Sequence, residues 1–217
     1  MALQKIMQMN NRIVTDVAGL SGGRYKVYID QEFAFVLYKS ELRQYGISAD
    51  HEISDEHYDE IIHRVLPKRA KLRAMALLQK RCYTEKQLTD KLKEGLYSKA
   101  VIEEALSYVK SFGYVDDLQF AVDYITYHEE ARSGRRIICD LQQKGIDENV
   151  IRQAFDKWKE LGGCQNEQEM IRAVLEKKNY NSDCSLKERQ KIYAFLLRKG
   201  FSIENVNKVL GRMDSFT

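Results

Sequence analysis

Two neighbouring carboxylates, Asp116 and Asp117, sit inside the run GYVDDLQFA at residues 113–121. Such a pair ahead of an apolar stretch can ligate a metal, perform acid/base chemistry, or start a helix. Catalysis and metal binding both need convergent partners, and the chain supplies none at recognisable spacing. A helix start fits better. With Asp116 as N-cap, Gln119 falls at N3, Val115 at N′ and Phe120 at N4, which gives a capping box and a hydrophobic staple. Asp117 then lies in the first turn, where the helix dipole favours a carboxylate. The pair reads as structural, and an enzyme built on it is the weakest reading.

The other chemistry-bearing residues are also dispersed. His51, His57 and His63 follow at six-residue intervals, so along a helix they alternate sides instead of sharing a metal-binding face. Cys82, Cys139, Cys164 and Cys184 include no C-x-x-C pair and form no dense disulfide framework, as expected of reduced thiols. No metal or cofactor is expected. The start MALQKIMQMNNRIV has no apolar leader after a basic segment, and no uncharged apolar run approaches a membrane span, so a cytoplasmic protein is expected.

Cations are more telling. Residues 68–93 hold nine Lys/Arg against two acids, Glu85 and Asp90, although the net charge of the chain is only +3. Lys68 and Arg69 follow the sole proline, Pro67, in an expected first helical turn where positive charge opposes the dipole. Arg69, Arg73 and Lys80 share one helical face, away from Ala74, Leu77 and Leu78. Further on, Arg132, Arg135 and Arg136 surround Ser133-Gly134 at an expected helix start. Arg135 and Arg136 precede the buried stripe marked by Ile137 and Leu141, so reversing both to Glu is expected to leave the helix intact. The candidate binding residues are Arg69, Arg73, Lys80, Arg81, Lys86, Lys91, Arg132, Arg135, Arg136 and Lys144. Together they describe a basic surface for an acidic protein groove, for phosphates, or for both. Tyr124, Tyr127 and Trp158 read as packing residues.

The elements that position these groups form two zones. Residues 24–42, RYKVYIDQEFAFVLYKSEL, read as a β-hairpin turning at Asp30-Gln31, with Phe33, Phe35 and Leu37 on one face and a further strand around 13–17. An acidic stretch follows, with six Asp/Glu and no Lys or Arg in residues 50–60. After Pro67 one apolar pattern recurs three times. Leu88, Leu92, Ile102, Ala105 and Leu106 have the same spacing as Ile137, Leu141, Ile151, Ala154 and Phe155, and as Ile192, Leu196, Val206, Val209 and Leu210. Gly95, Gly145 and Gly200 follow where left-handed helix caps are expected. A further helix precedes each pair, so three three-helix units form a tandem array.

At this level the text resembles the RecX family of recombination regulators. The resemblance rests on GYVDDLQFA followed by RSGRRIICDLQQKGI (132–146), and on RAMALLQKRCYTEKQLTDKLKEG (73–95), in that order and with the threefold repeat. It covers residues 68–213, and the hairpin is similar to an N-terminal extension that some members carry. It implies a non-enzymatic protein that binds the RecA filament on DNA and restrains its ATPase and strand-exchange activities. The third unit, with its longer NYNSDCSLKERQ connection, departs most from the signature.

The expected architecture is mainly α, a tandem array of three three-helix repeats with a small β-containing N-terminal extension. Residues 1–66 form the extension, and 67–113, 114–162 and 163–217 the three repeats. The expected function is RecA modulation by a monomer, with direct DNA contact open and no membrane partner. The alternative is a helical nucleic-acid-binding module that acts without a recombinase.

Overall fold

The computed structural model describes residues 12–180 and 184–211, so most of the start MALQKIMQMNNRIV lies outside the described residues. The chain forms two compact units. One runs to Tyr83 and includes Gln87–Val115; the other comprises Thr84–Lys86 and the chain from Asp116 onward.

In the first unit, strands β1 (Arg12–Leu20), β2 (Arg24–Ile29), β3 (Glu32–Tyr38) and β4 (His51–Ile53) form an antiparallel sheet in the order β3-β2-β1-β4. Asp30 and Gln31 both take positive φ, as a two-residue hairpin turn requires. β1 holds that turn. The Asp30 N–H donates to the Ile13 carbonyl and the Gln31 N–H to the Thr15 hydroxyl, each at 3.0 Å. Phe35 and Leu37 are buried as expected, but Phe33 is not. Ala34 is an extra residue between the pairs Val27↔Phe35 and Tyr28↔Phe33, and this bulge turns Phe33 out against the edge of the Tyr28 ring.

Helix α1 (Lys39–Gln44) follows β3, and α2 (Asp55–Glu60) follows β4. A π-turn over Ile61–Val65 then leads directly into α3 (Leu66–Leu78), with helical backbone at every junction. Pro67 therefore does not begin a helix. The Leu66 N–H reaches back to the Ile61 carbonyl, and the wider turn accommodates a proline that has no N–H of its own. Lys68 and Arg69 consequently do not face an exposed positive dipole end. Lys80 lies beyond the end of α3, so it does not extend the helical face of Arg69 and Arg73. With α4 (Glu85–Lys93) and α5 (Lys99–Ser111), α3 makes the first triplet; it packs on α5, and one core joins the sheet, from Val14, to the triplet and Val115.

The second unit contains the triplets α6 (Asp117–His128), α7 (Gly134–Gln143), α8 (Glu148–Glu160) and α9 (Glu167–Lys177), α10 (Leu186–Arg198), α11 (Ile203–Leu210). The recurrent apolar spacing is what the cores use. Ile137, Leu141, Ile151 and Ala154 are buried with Trp158, and Leu196 and Val206 are buried with Ile171. Gly145 and Gly200 take positive φ as expected. Gly95 does not; Leu96 supplies the left-handed residue, four positions after Leu92 as the other two glycines are after Leu141 and Leu196. Gly95 has a different reason to lack a side chain, because a Cβ would lie 2.8 Å from the Tyr97 ring.

The carboxylate pair serves two helix starts. Asp116 accepts from the Gln119 N–H at 2.9 Å, while Asp117 accepts from the N–H of Glu85, the first residue of α4, also at 2.9 Å. The reciprocal half of the capping box is not made: the Gln119 side-chain oxygen accepts from Lys157 at 3.0 Å, and its amide nitrogen donates to Asp123. Asn caps about as well as Asp, so Asp116→Asn is expected to retain most of the stability, whereas Asp116→Ala loses about 0.5–2 kcal/mol. Urea denaturation followed by circular dichroism measures both, and equal losses in the two variants would overturn the capping role.

Candidate partner-binding surface

The start of α7 is set by Ser133. Its hydroxyl accepts from the Arg136 N–H at 3.3 Å, which caps the helix, and donates to the Lys199 carbonyl at 2.9 Å. Ser133 is buried and both of its hydrogen-bonding roles are used. This fixes the backbone on which Arg135 and Arg136 stand.

Arg132 and Arg136 meet on one buried acid. Asp140 is only 6 % exposed, yet it receives Arg132 Nη1 on one oxygen at 2.6 Å and Arg136 Nη2 on the other at 3.0 Å. The same Arg132 nitrogen donates to the Tyr124 hydroxyl at 2.7 Å, and Lys144 rests its ammonium 5.1 Å from the Tyr124 ring centre. Burial, and next the Asp140 charge, hold the Tyr124 hydroxyl above its ordinary pKa, while Arg132 opposes them. The His128 ring lies tilted against that of Tyr124, and its pKa is shifted downward, first by burial and then by Arg132, with Lys144 adding to it and Asp140 opposing. It is therefore a neutral ring at neutral pH.

This network corrects the expectation for the arginine pair. Arg136 is half-exposed but engaged through an i,i+4 ion pair, so reversing its charge sets a carboxylate beside a buried carboxylate. Arg135 is exposed and makes no ion pair among the described residues. Tyr127 is also corrected, since it is 83 % exposed, with its ring set edge-on to that of His128. Trp158 is buried as expected, with Nε1 donating to Glu129 and with Gly163 placed where any Cβ would strike the indole.

Lys86, grouped with this unit, lays its stem where a Gly145 Cβ would otherwise sit. In the first unit, Arg69 donates to the Val36 carbonyl at 2.9 Å and to both Glu41 oxygens at 2.6 Å. Arg81 lies over the Tyr83 ring and Lys91 bonds Glu94. Arg73 and Lys80 are exposed, with no ion pair among the described residues. Arg69, Arg73 and Lys91 line a common cavity, joined there by Arg24 from β2. Periodicity gave no sign of Arg24, although its place at the head of a strand after Ser-Gly-Gly was visible; the Arg136–Asp140 spacing was an equally legible signal for the ion pair. Among the described residues no three His, Cys, Asp or Glu side chains are grouped to hold a metal ion, and no helix is long and apolar enough to cross a membrane.

Comparison with known proteins agrees with the motifs. Family models described as the first and third three-helix domains of RecX match residues 70–108 and 165–210. The chain is 34% identical over 188 residues to the regulatory protein RecX of Caldanaerobacter subterraneus subsp. tengcongensis, covering 86% of this chain and 92% of that one. It is 25% identical to the regulatory protein RecX of Bacillus subtilis, over 88% of this chain and 72% of the relative. A crystal structure of regulatory protein RecX superposes with a TM-score of 0.60 over 92% of this chain and 98% of that chain, at 23% identity. The crystal structure of RecX from Lactobacillus salivarius superposes with a TM-score of 0.57 over 70% and 99%, at 21% identity. These two likenesses concern the fold.

The ion-pair geometry separates two neighbouring arginines. Arg136→Glu is expected to destabilise by about 1–3 kcal/mol, because it leaves Asp140 short of a partner and adds a like charge. Arg135→Glu is expected to stay within about 0.5 kcal/mol of the parent. Equal shifts in urea midpoint would show that the Asp140 network carries no such weight.

Proposed function

The chain belongs to the RecX family of regulatory proteins, and on that premise we propose that it binds the RecA filament assembled on DNA and restrains ATP hydrolysis and strand exchange. It acts as a monomeric cytoplasmic binding protein without a catalytic centre. The supporting observation is Arg135. Within residues 132–146, one of the stretches that carry the family signature, it is the arginine that the fold leaves in solvent with no ion pair among the described residues, on a helix start fixed by the Ser133 cap. An acidic groove on a partner then provides what the fold does not, and the interaction weakens as salt rises. Arg132 and Arg136 support this surface by holding α7 and the preceding loop on Asp140.

The test is RecA-driven ATP hydrolysis on single-stranded DNA. Arg135→Glu is expected to melt like the parent and to lose most of the inhibition. Lys177→Glu, an equal charge reversal on an exposed residue in the divergent third triplet, is expected to retain it. Full inhibition by a folded Arg135→Glu protein would take this residue off the surface. A parent protein that leaves hydrolysis unaltered would remove the recombinase reading.

A further inference from the structure

The first unit holds a cavity of about 470 Å³ between the β1–β2 turn and strand β3 on one side and helices α3 and α4 on the other. Its walls carry the cations Arg24, Arg69, Arg73 and Lys91 and one acid, Glu94, together with Tyr38 and Tyr97. Each cation comes from a different place: the head of β2, two successive turns of α3, and α4.

Two of the four are already compensated. Arg69 is held by Glu41 and its guanidinium lies 4.9 Å from the Tyr38 ring centre, while Lys91 reaches both Glu94 oxygens at 2.8 and 2.9 Å. The other two are not. Arg24 uses Nε on the Ser21 carbonyl at 3.1 Å, which fixes its stem across the turn and leaves its terminal nitrogens without an ion pair among the described residues. Arg73 makes none either. The Tyr97 hydroxyl feels all three guanidiniums: burial raises its pKa, and Arg69, Arg73 and Arg24 each draw it down. Tyr97 reaches this position because Gly95 has no Cβ to obstruct its ring.

Uncompensated guanidiniums that face one concave space from different directions suit an anion with oxygens on several sides. A carboxylate offers two oxygens in one plane and is satisfied by a single arginine, as both Glu41 oxygens are by Nη2 of Arg69. A phosphate group presents oxygens tetrahedrally, and two positive charges match its dianion or two adjacent phosphodiesters. The tyrosine rings beside them offer faces and hydroxyls to an attached sugar or base. We propose that this cavity is a binding site for phosphate groups of nucleotide chemistry, with Arg24 and Arg73 as its principal ligands. It requires no recombinase. The phosphate is carried either by a nucleic-acid strand or by a free nucleotide.

The experiment uses the full chain alone, without any recombinase, so its outcome is independent of the regulatory reading above. One arm titrates a short fluorescein-labelled oligothymidylate at several salt concentrations and follows anisotropy; the other measures the rise in melting temperature with inorganic pyrophosphate. Arg73→Glu is compared with Arg152→Glu, the same charge change at an exposed residue of α8, and Arg73→Gln repeats the comparison without an added acid. Melting without ligand verifies that each variant is folded. For a strand, Arg73→Glu is expected to weaken binding about tenfold and to lower the salt slope by about 1, with Arg152→Glu near the parent. For a free nucleotide, pyrophosphate stabilises the parent and Arg152→Glu but not Arg73→Glu, while oligonucleotide affinity is the same in all three. If neither ligand distinguishes the Arg73 variants from Arg152→Glu, the site is overturned.

Discussion

A buried hydroxyl with both of its hydrogen-bonding roles used governs the second unit. Ser133 caps α7 and donates to the Lys199 carbonyl, and the next residue, Gly200, has φ +89° with a hypothetical Cβ only 2.6 Å from the Ser133 oxygen. The close approach needs both the missing side chain and the left-handed backbone, which glycine alone supplies cheaply. The same arrangement occurs at Thr84, which donates to the Lys144 carbonyl at 2.7 Å ahead of Gly145, whose φ is +85°. In each case a hydroxyl at a helix start meets the carbonyl preceding a glycine turn. Sliding either helix by one residue would replace a satisfied buried hydroxyl with an unsatisfied one, at about 1–3 kcal/mol. The register of the helices is thus set by polar contacts, and the apolar spacing fills what they frame.

The cations divide according to whether the fold needs them. Asp140 is nearly buried and paired on both oxygens by Arg132 and Arg136, and Glu41 plays the converse role by drawing Arg69 against the end of β3. These residues were counted with the basic surface because sequence displays charge but not its partner. Asp140 stands four residues after Arg136, a spacing open to inspection, whereas Glu41 and Arg69 lie 28 residues apart and no local pattern joins them.

Legibility followed the length of the interaction. The threefold spacing, the helix start at Asp116, and the left-handed Gly145 and Gly200 were readable because each depends on neighbours within a turn or two. Phe33 was misplaced because strand alternation assumes an unbroken ladder, and the bulge at Ala34 shifts the parity. Pro67 read as a helix start because a proline inside a helix removes a bond; the π-turn before it supplies an alternative that no residue type announces. Tyr127 follows the periodicity of α6 only loosely, and its exposure depends on what packs beside it.

What remains after the structural cations are set aside is a small group on well-fixed backbone. Arg135 lies between Ser133, whose hydroxyl is locked, and Arg136, which is tied to Asp140, so its Cα is held while its side chain is free. Arg73 has the same character, standing one turn after the anchored Arg69 on α3. A cation so placed meets a partner at the cost of side-chain freedom alone, about 2 kcal/mol at most for an arginine, because no backbone ordering is required. A flexible loop presenting the same guanidinium would add about 1–2 kcal/mol per residue ordered. The buried polar contacts that fix the helices therefore also determine how cheaply the surface binds, and their loss would be felt in affinity before the fold itself failed.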